Sequence, residues 1–443
     1  MTIGLSSEWT YQEFCAMTRL IESPLNGCYL SFRAGLASLG KRVLWVLAVA
    51  ALFVVVQPAR AQFGMMNNAQ MMQDTITRRG LDRYCKLLGL DKDQKDAAKA
   101  LFEGQQTETA TLQKETAEKM KELGEKAREN SDFSVYQTEM PAMMKAMAEK
   151  GEKLEESFFA DLKALCNDEQ LANWDTVTRF RRREKAMRFG FVSGSAVDMI
   201  AVTEKVKPAT ESVSDLKDTL LQYELEVDKL LVEFERVGKE SQKDMFEGGA
   251  MFDMTKIESM MRKFYDAGAL VRDVNRKYER QIAPLLSEEE RTKLDLEVKR
   301  RSHPKIYKAS RPQQLFDAAM GLADLTAEQR EQLVVLREGY NREASPINER
   351  WAKAAEEKEE KAGGTVMVMI QGFQMQGGGA DDPVKTARES RKEVDDKTKD
   401  RIEAVLTKEQ VAKLPAKKTE EFNPMADFMF SDDEGEEGAT ESK

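Results

Sequence analysis

Five residues recur along this 443-residue chain in a way that dictates where helices begin. LTAEQ at Leu325–Gln329 returns as LTKEQ at Leu406–Gln410. Variants stand at Leu90–Gln94 (LDKDQ), Cys166–Gln170 (CNDEQ), Leu286–Glu290 (LSEEE) and, degraded, Val202–Val206 (VTEKV). Thr, Ser, Asn or Asp at an N-cap accepts a bond from an otherwise orphan backbone N–H, and Gln or Glu three residues on reaches back to the cap's own N–H. Thr326/Gln329, Thr407/Gln410, Asp91/Gln94, Asn167/Gln170 and Ser287/Glu290 keep both halves of this capping box, whereas Thr203 has lost its partner to Val206. A single box says little. Openers at 90, 202 and 325 alternate with closers at 166, 286 and 406, at spacings of 76, 84 and 81 residues, which describes one unit written three times.

Between the motifs of unit two, Val213, Leu216, Leu220, Tyr223, Val227, Leu230, Phe234 and Val237 alternate spacings of three and four. After Gly248-Gly249 the return stretch repeats the alternation through Ile257, Met260, Phe264, Ala267, Val271, Val274 and Tyr278. Two matched seams predict an antiparallel helical hairpin with arms of about 25 residues, roughly 37 Å long. Unit three follows with Leu333, Leu336, Tyr340, Ile347, Trp351 and Ala354, a kink expected at Pro346, and a Gly-rich tip at 363–379. Unit one is more weakly seamed, with Leu101, Leu112, Met120 and Leu123. The fold class expected is all-α, three tandem antiparallel hairpins each opened and closed by a capping motif. The units are placed at 80–178, 196–298 and 313–416, joined by basic linkers at 179–195 and 299–312.

Outside the units, Lys41-Arg42, the apolar run Val43–Val56 and Ala59-Arg60-Ala61 read as a secretory signal with cleavage before Gln62. Fourteen apolar residues are short for an uncleaved membrane anchor. This gives a leader at 1–61, a Met-rich segment at 62–79 and an acidic tail at 417–443 expected to be disordered. Without the leader the chain carries 63 basic and 75 acidic residues, a balance that argues against nucleic acid as a general partner.

Two cysteines remain beyond the leader. Cys85 lies five residues before the leading Leu90 of its opener, and Cys166 replaces the leading Leu of its closer; both positions are apolar in the other units. If opener and closer meet at the base of a hairpin, a Cys85–Cys166 disulfide replaces that apolar contact in an oxidising compartment; two free buried thiols are the alternative. The basic stretches Arg179–Phe189 and Lys299–Arg311 offset helix dipoles in one reading and bind anions, the tail Ser431–Glu437 among them, in the other.

Catalytic chemistry is not written here. The single histidine, His303, sits in a basic stretch beside Pro304, and no phosphate loop, CxxC pair or nucleotide fingerprint follows a strand pattern. No enzyme activity, cofactor or metal site is expected. Methionine is concentrated where hairpins should turn, at Met140–Met147, at Met251, Phe252 and Met254, and at Met367, Met369 and Phe373. Ordinary tip packing, an adaptable surface for other polypeptides and thioether ligation of Cu(I) all suit such clusters, and the second makes the last six residues candidate client contacts.

The paired motifs resemble those of the periplasmic Spy/CpxP proteins, which carry LTxxQ near the start and end of a helical hairpin; LTAEQ and LTKEQ match best, and the resemblance covers about 300 residues as three tandem copies. It implies an extracytoplasmic, ATP-independent chaperone or envelope-stress accessory protein that holds unfolded or partly folded envelope proteins without a cofactor. Family members are usually single modules that dimerise, and fusion of three replaces that pairing. The other reading is a structural or signalling scaffold for one dedicated envelope partner.

Overall fold

The computed structural model describes residues 76–129, 134–188, 190–246, 253–368 and 382–416, all within one compact unit, Met66–Lys443. The side chains of 210–213 and 215 are outside the description. The protein is all-α, and no strand occurs among the described residues.

Three pairs of long helices dominate. Helix α1 (Arg78–Leu88) leads into α2 (Lys92–Glu129), which returns as α3 (Ser134–Ala164); α4 (Asp168–Leu171) and α5 (Trp174–Ala186) follow. Next come α6 (Met199–Val206), α7 (Thr210–Phe246), α8 (Met254–Ile282) and, after a 3-10 turn at Ala283–Leu285, α9 (Glu288–Ser302). The chain ends with α10 (Pro304–Tyr307), α11 (Arg311–Met320), α12 (Ala327–Ala362), α13 (Pro383–Val405) and α14 (Lys408–Val411). Cross-pair contacts run in opposite chain directions, so each pair is antiparallel: Lys126 to Glu139 and Lys150 to Glu115 in the first, Tyr223 to Tyr278 and Phe234 to Phe264 in the second, Tyr340 to Asp395 and Lys358 to Asp382 in the third.

The seams of α7 and α8 face inward, as their spacing predicts. Leu216, Tyr223, Val227, Val237, Val271 and Tyr278 are buried, while Leu220, Leu230, Phe234 and Val274 are half-buried. Each fully buried side chain of this size stabilises by about 1.5–3 kcal/mol. Every pair also has its own apolar cluster near its base. The first gathers Ile76, Tyr84 and Leu88 against Phe102, Phe158 and Leu162, and the third gathers Leu315 and Phe316 against Leu333, Tyr340 and Ile402. Tyr84 is edge-on to both Phe159 and Phe180, ring centroids 5.3 and 5.4 Å away.

Several sequence expectations are corrected. Thr203 does not open the second pair: it lies inside α6, its hydroxyl donating to Met199 O at 2.7 Å, while Asp198 caps that helix. Lys207, at φ 54°, ends α6, and Pro208 cannot continue a helix, so the long arm begins only at Thr210. Helix α12 runs unbroken through Pro346, where a kink is expected from the sequence. Neither basic stretch is a loop; the first is mostly α5, and the second runs through α9 and α10 into α11. Met140–Met147 belong to the early turns of α3, not to the turn itself. The leader, residues 62–75 of the Met-rich segment and the tail from 417 lie outside the described residues. No helix among the described residues is long and apolar enough to cross a membrane.

Candidate functional site

All five boxes form as spaced. Asn167, Ser287, Thr326 and Thr407 each cap a helix and are capped in return by Gln170, Glu290, Gln329 and Gln410. Asp91 and Gln94 exchange the same two bonds at 2.9 and 3.0 Å.

The glutamines also do something that a cap does not require. Gln94 Nε2 donates to Gln170 Oε1 at 2.9 Å, and Gln170 Nε2 donates back to Gln94 Oε1 at 2.8 Å. The remaining amide hydrogens go to the carbonyls just before the opposite motif, Gln94 to Leu165 O at 2.7 Å and Gln170 to Gly89 O at 3.3 Å. In the third pair, Gln329 and Gln410 exchange bonds at 2.9 and 3.2 Å and reach Val405 O and Asp324 O at 2.9 and 3.0 Å. Each primary amide thus accepts two bonds and donates two, its full capacity. These bonds tie the start of α2 to that of α4, and the start of α12 to that of α14.

The second pair solves the same problem with one carboxylate. Glu290 Oε2 accepts from Ser287 N at 2.9 Å, and Glu290 Oε1 accepts from Ala209 N, just before α7, at 2.6 Å. A carboxylate cannot donate, so no reciprocal pair is possible; it caps both helix starts instead. The cap positions Asp91/Asn167, Ala209/Ser287 and Thr326/Thr407 are 76, 78 and 81 residues apart, a tighter set than the motif letters give. The available signal was Gln rather than Glu in both halves of two pairs, since capping alone accepts either.

Between the first and second pairs lies a buried ion network on α5. Arg181 donates to Glu155 of α3 at 2.9 Å and to Glu184 at 3.0 Å, and Tyr84 donates to the same Glu184. Arg183 reaches Glu224 of α7 at 2.7 Å and Asp198 at 3.3 Å, and Arg182 bonds Asp228 and Glu235 of α7. Burial works to raise Glu155, but Arg181 and then Lys185 hold it below the usual carboxylate range. The charges of this basic stretch are therefore spent within the chain.

The third pair docks through α12. Ser193 donates its backbone N–H and its hydroxyl to Glu359 at 3.0 and 2.7 Å, and Thr365 donates to Phe191 O. Glu356 accepts from Arg276 of α8 at 2.6 Å and pairs with His303 Nε2 at 3.0 Å. Burial works against the Glu356 carboxylate, yet His303 and Arg276 bring it down to about 2. A depressed carboxylate contributes stability that is fully present above its unfolded pKa, near 4.5, and lost as pH falls toward about 2. Melting temperatures of Glu356→Gln and the parent protein should therefore converge as pH falls through that window; parallel curves would show that the pair contributes nothing to acid sensitivity.

Cys85 and Cys166 stand as free thiols, in place of the expected bridge. Both belong to the first cluster, but the Cys166 thiol donates to Leu162 O at 3.4 Å. Burial pushes both thiols up. Thiol reagents at neutral pH should accordingly label them slowly in the native protein and fast on denaturation. Unreduced protein with no reactive thiol after denaturation would show that the bridge forms.

Of the residues expected at the tips, Met367 is 4 % exposed and Met254, the first residue of α8, is half-buried. Met251, Phe252, Met369 and Phe373 lie outside the described residues. Among the described residues no group of His, Cys, Asp and Glu is arranged to hold a metal ion. Compared with family models, curated proteins and solved structures, the chain matches none.

Proposed function

We propose that this protein is an extracytoplasmic, ATP-independent chaperone or envelope-stress accessory protein, built as three tandem hairpin modules, that binds unfolded polypeptide on its helical arms. The modular reading draws support from the cap spacings and from the two reciprocal glutamine pairs at corresponding places. Secretion rests on the apolar run and the small-residue pattern before Gln62.

The observation that carries polypeptide binding is an apolar stripe on α7. Leu221, Leu225 and Val232 are 51, 45 and 48 % exposed, and at 100° per residue they fall within about 40° of one another. Large aliphatic side chains repeated along one outer face of a helix whose inner face is already packed fit contact with apolar segments of another chain. The flanks are charged, with Lys217, Asp218, Lys229 and Arg236 exposed, which keeps the stripe soluble while unoccupied. Met251, Phe252, Met369 and Phe373 extend the proposal to the tips; buried Met367 does not belong to it.

The deciding experiment is suppression of aggregation of two unrelated unfolded clients. The parent protein should suppress both at near-stoichiometric ratios, and Leu221→Ser/Leu225→Ser/Val232→Ser should lose most of the effect at an unchanged melting temperature. Capture of one stoichiometric envelope partner without suppression of either client would favour the scaffold.

A further inference from the structure

A cavity of about 300 Å³ opens where α8, α9, α10 and α12 meet. Its apolar wall includes Val197, Met199, Val298 and Ala352, and its polar lining includes the chain's one histidine. Most of the charges on that lining are already paired. Arg276 and His303 share Glu356, and Lys299 holds Asp295 at 2.9 Å.

Glu279 of α8 is different. It is half-buried, it lines the cavity, and among the described residues its carboxylate has neither an ion-pair nor a hydrogen-bond partner. Burial and then Asp295 push its carboxyl up, against the pull of Arg276, Arg280 and Lys299. Glu349 and Lys353, opposite charges one helical turn apart on α12, also line the cavity and form no ion pair among the described residues, but both are exposed. The inner charge left over is therefore one carboxylate beside an apolar wall and the half-buried Tyr307.

We propose that this cavity receives a single basic side chain, arginine or lysine, from a bound polypeptide, with Glu279 as its counter-charge. The volume accommodates one long side chain; the aliphatic wall suits its methylene stem, and a cation in a partly desolvated site gains more from a carboxylate than it does in water. Tyr307, on the cavity wall, supplies an aromatic ring for a guanidinium to stack on. The acidic balance of the chain, net −10, draws basic segments toward it.

The occupant's identity rests on the polypeptide-binding reading, but its test does not use clients. N-acetyl-arginine methylamide is titrated into the full chain and followed by calorimetry, with the norleucine analogue as the uncharged control. Saturable one-to-one binding with a Kd on the order of 1 mM is expected, weakened roughly tenfold by Glu279→Gln and by the control ligand alike. Lys353→Met, which removes the rim cation, should tighten binding and serves if Glu279→Gln does not fold. Absence of saturable binding, equal binding of the norleucine analogue, or affinity unmoved by both substitutions would each overturn the proposal. Arginine binding in a protein that fails to suppress aggregation would leave this site standing and remove only the chaperone reading.

Discussion

Replacing Gln410 by alanine is expected to destabilise the third hairpin by roughly 3 kcal/mol, about three times the cost of Thr407→Ala. Thr407→Ala removes one capping bond, from Gln410 N at 3.2 Å, made by a side chain that is itself exposed. Gln410→Ala removes the bond to Thr407 N and both donated bonds, and it strands the amide hydrogen of Gln329 and the Asp324 carbonyl at a site where Gln410 itself is only 3 % exposed. Each net hydrogen bond is worth about 1 kcal/mol, and a stranded buried group costs about 1–3 kcal/mol more. The decisive measurement is a double-mutant cycle by denaturant unfolding. Gln329→Ala/Gln410→Ala should cost less than the two single changes added together, by at least about 1 kcal/mol, because the second change removes a group the first had stranded. Strict additivity would mean that the two amides act only as independent caps.

That pairing marks the limit of what the letters could say. Five helix starts were readable because a capping box is local: cap and partner are three residues apart and need no knowledge of the fold. The seams of α7 and α8 were readable for the same reason, as a period along one helix. The reciprocal amides join residues 76 and 81 apart, so recognising them requires knowing that the hairpin closes. The second opener was misplaced because Thr203 imitates a cap, while the working N–H, that of Ala209, is served by a carboxylate from the far end of the hairpin and has no local signature. The basic stretches looked like solvated linkers because their counter-charges, Glu155, Glu224 and Asp228, belong to other helices. Met367 looked like part of a free tip. It is buried because the chain just beyond α12 docks on Phe191, a contact no periodicity announces.

The same distant pairing makes Arg183→Met the second large effect, a loss of about 3–5 kcal/mol. Arg183 is 3 % exposed and joins α5 to Glu224 of α7 and to Asp198, the N-cap of α6, so it ties the first hairpin's trailing helix to the second hairpin's first two elements. Methionine fills much of the volume, so the cost is chiefly electrostatic: among the described residues Glu224, itself buried, keeps Arg179, at 3.2 Å, as its ion partner, and the carboxylate is left poorly compensated. Lysine at 183 keeps the charge but cannot fork between two carboxylates, and its cost should fall between those of arginine and methionine. Adding Glu224→Gln to Arg183→Met should recover part of the loss, because the uncompensated charge is then gone. Arg236→Ala, which removes an equally basic but exposed side chain paired along its own helix with Glu233 and Glu240, should leave the unfolding midpoint unchanged. Chemical denaturation of the five proteins separates these cases. An Arg183→Met protein as stable as Arg236→Ala would show that α5 is held by its apolar contacts alone, and that the buried arginines only fill space between the hairpins.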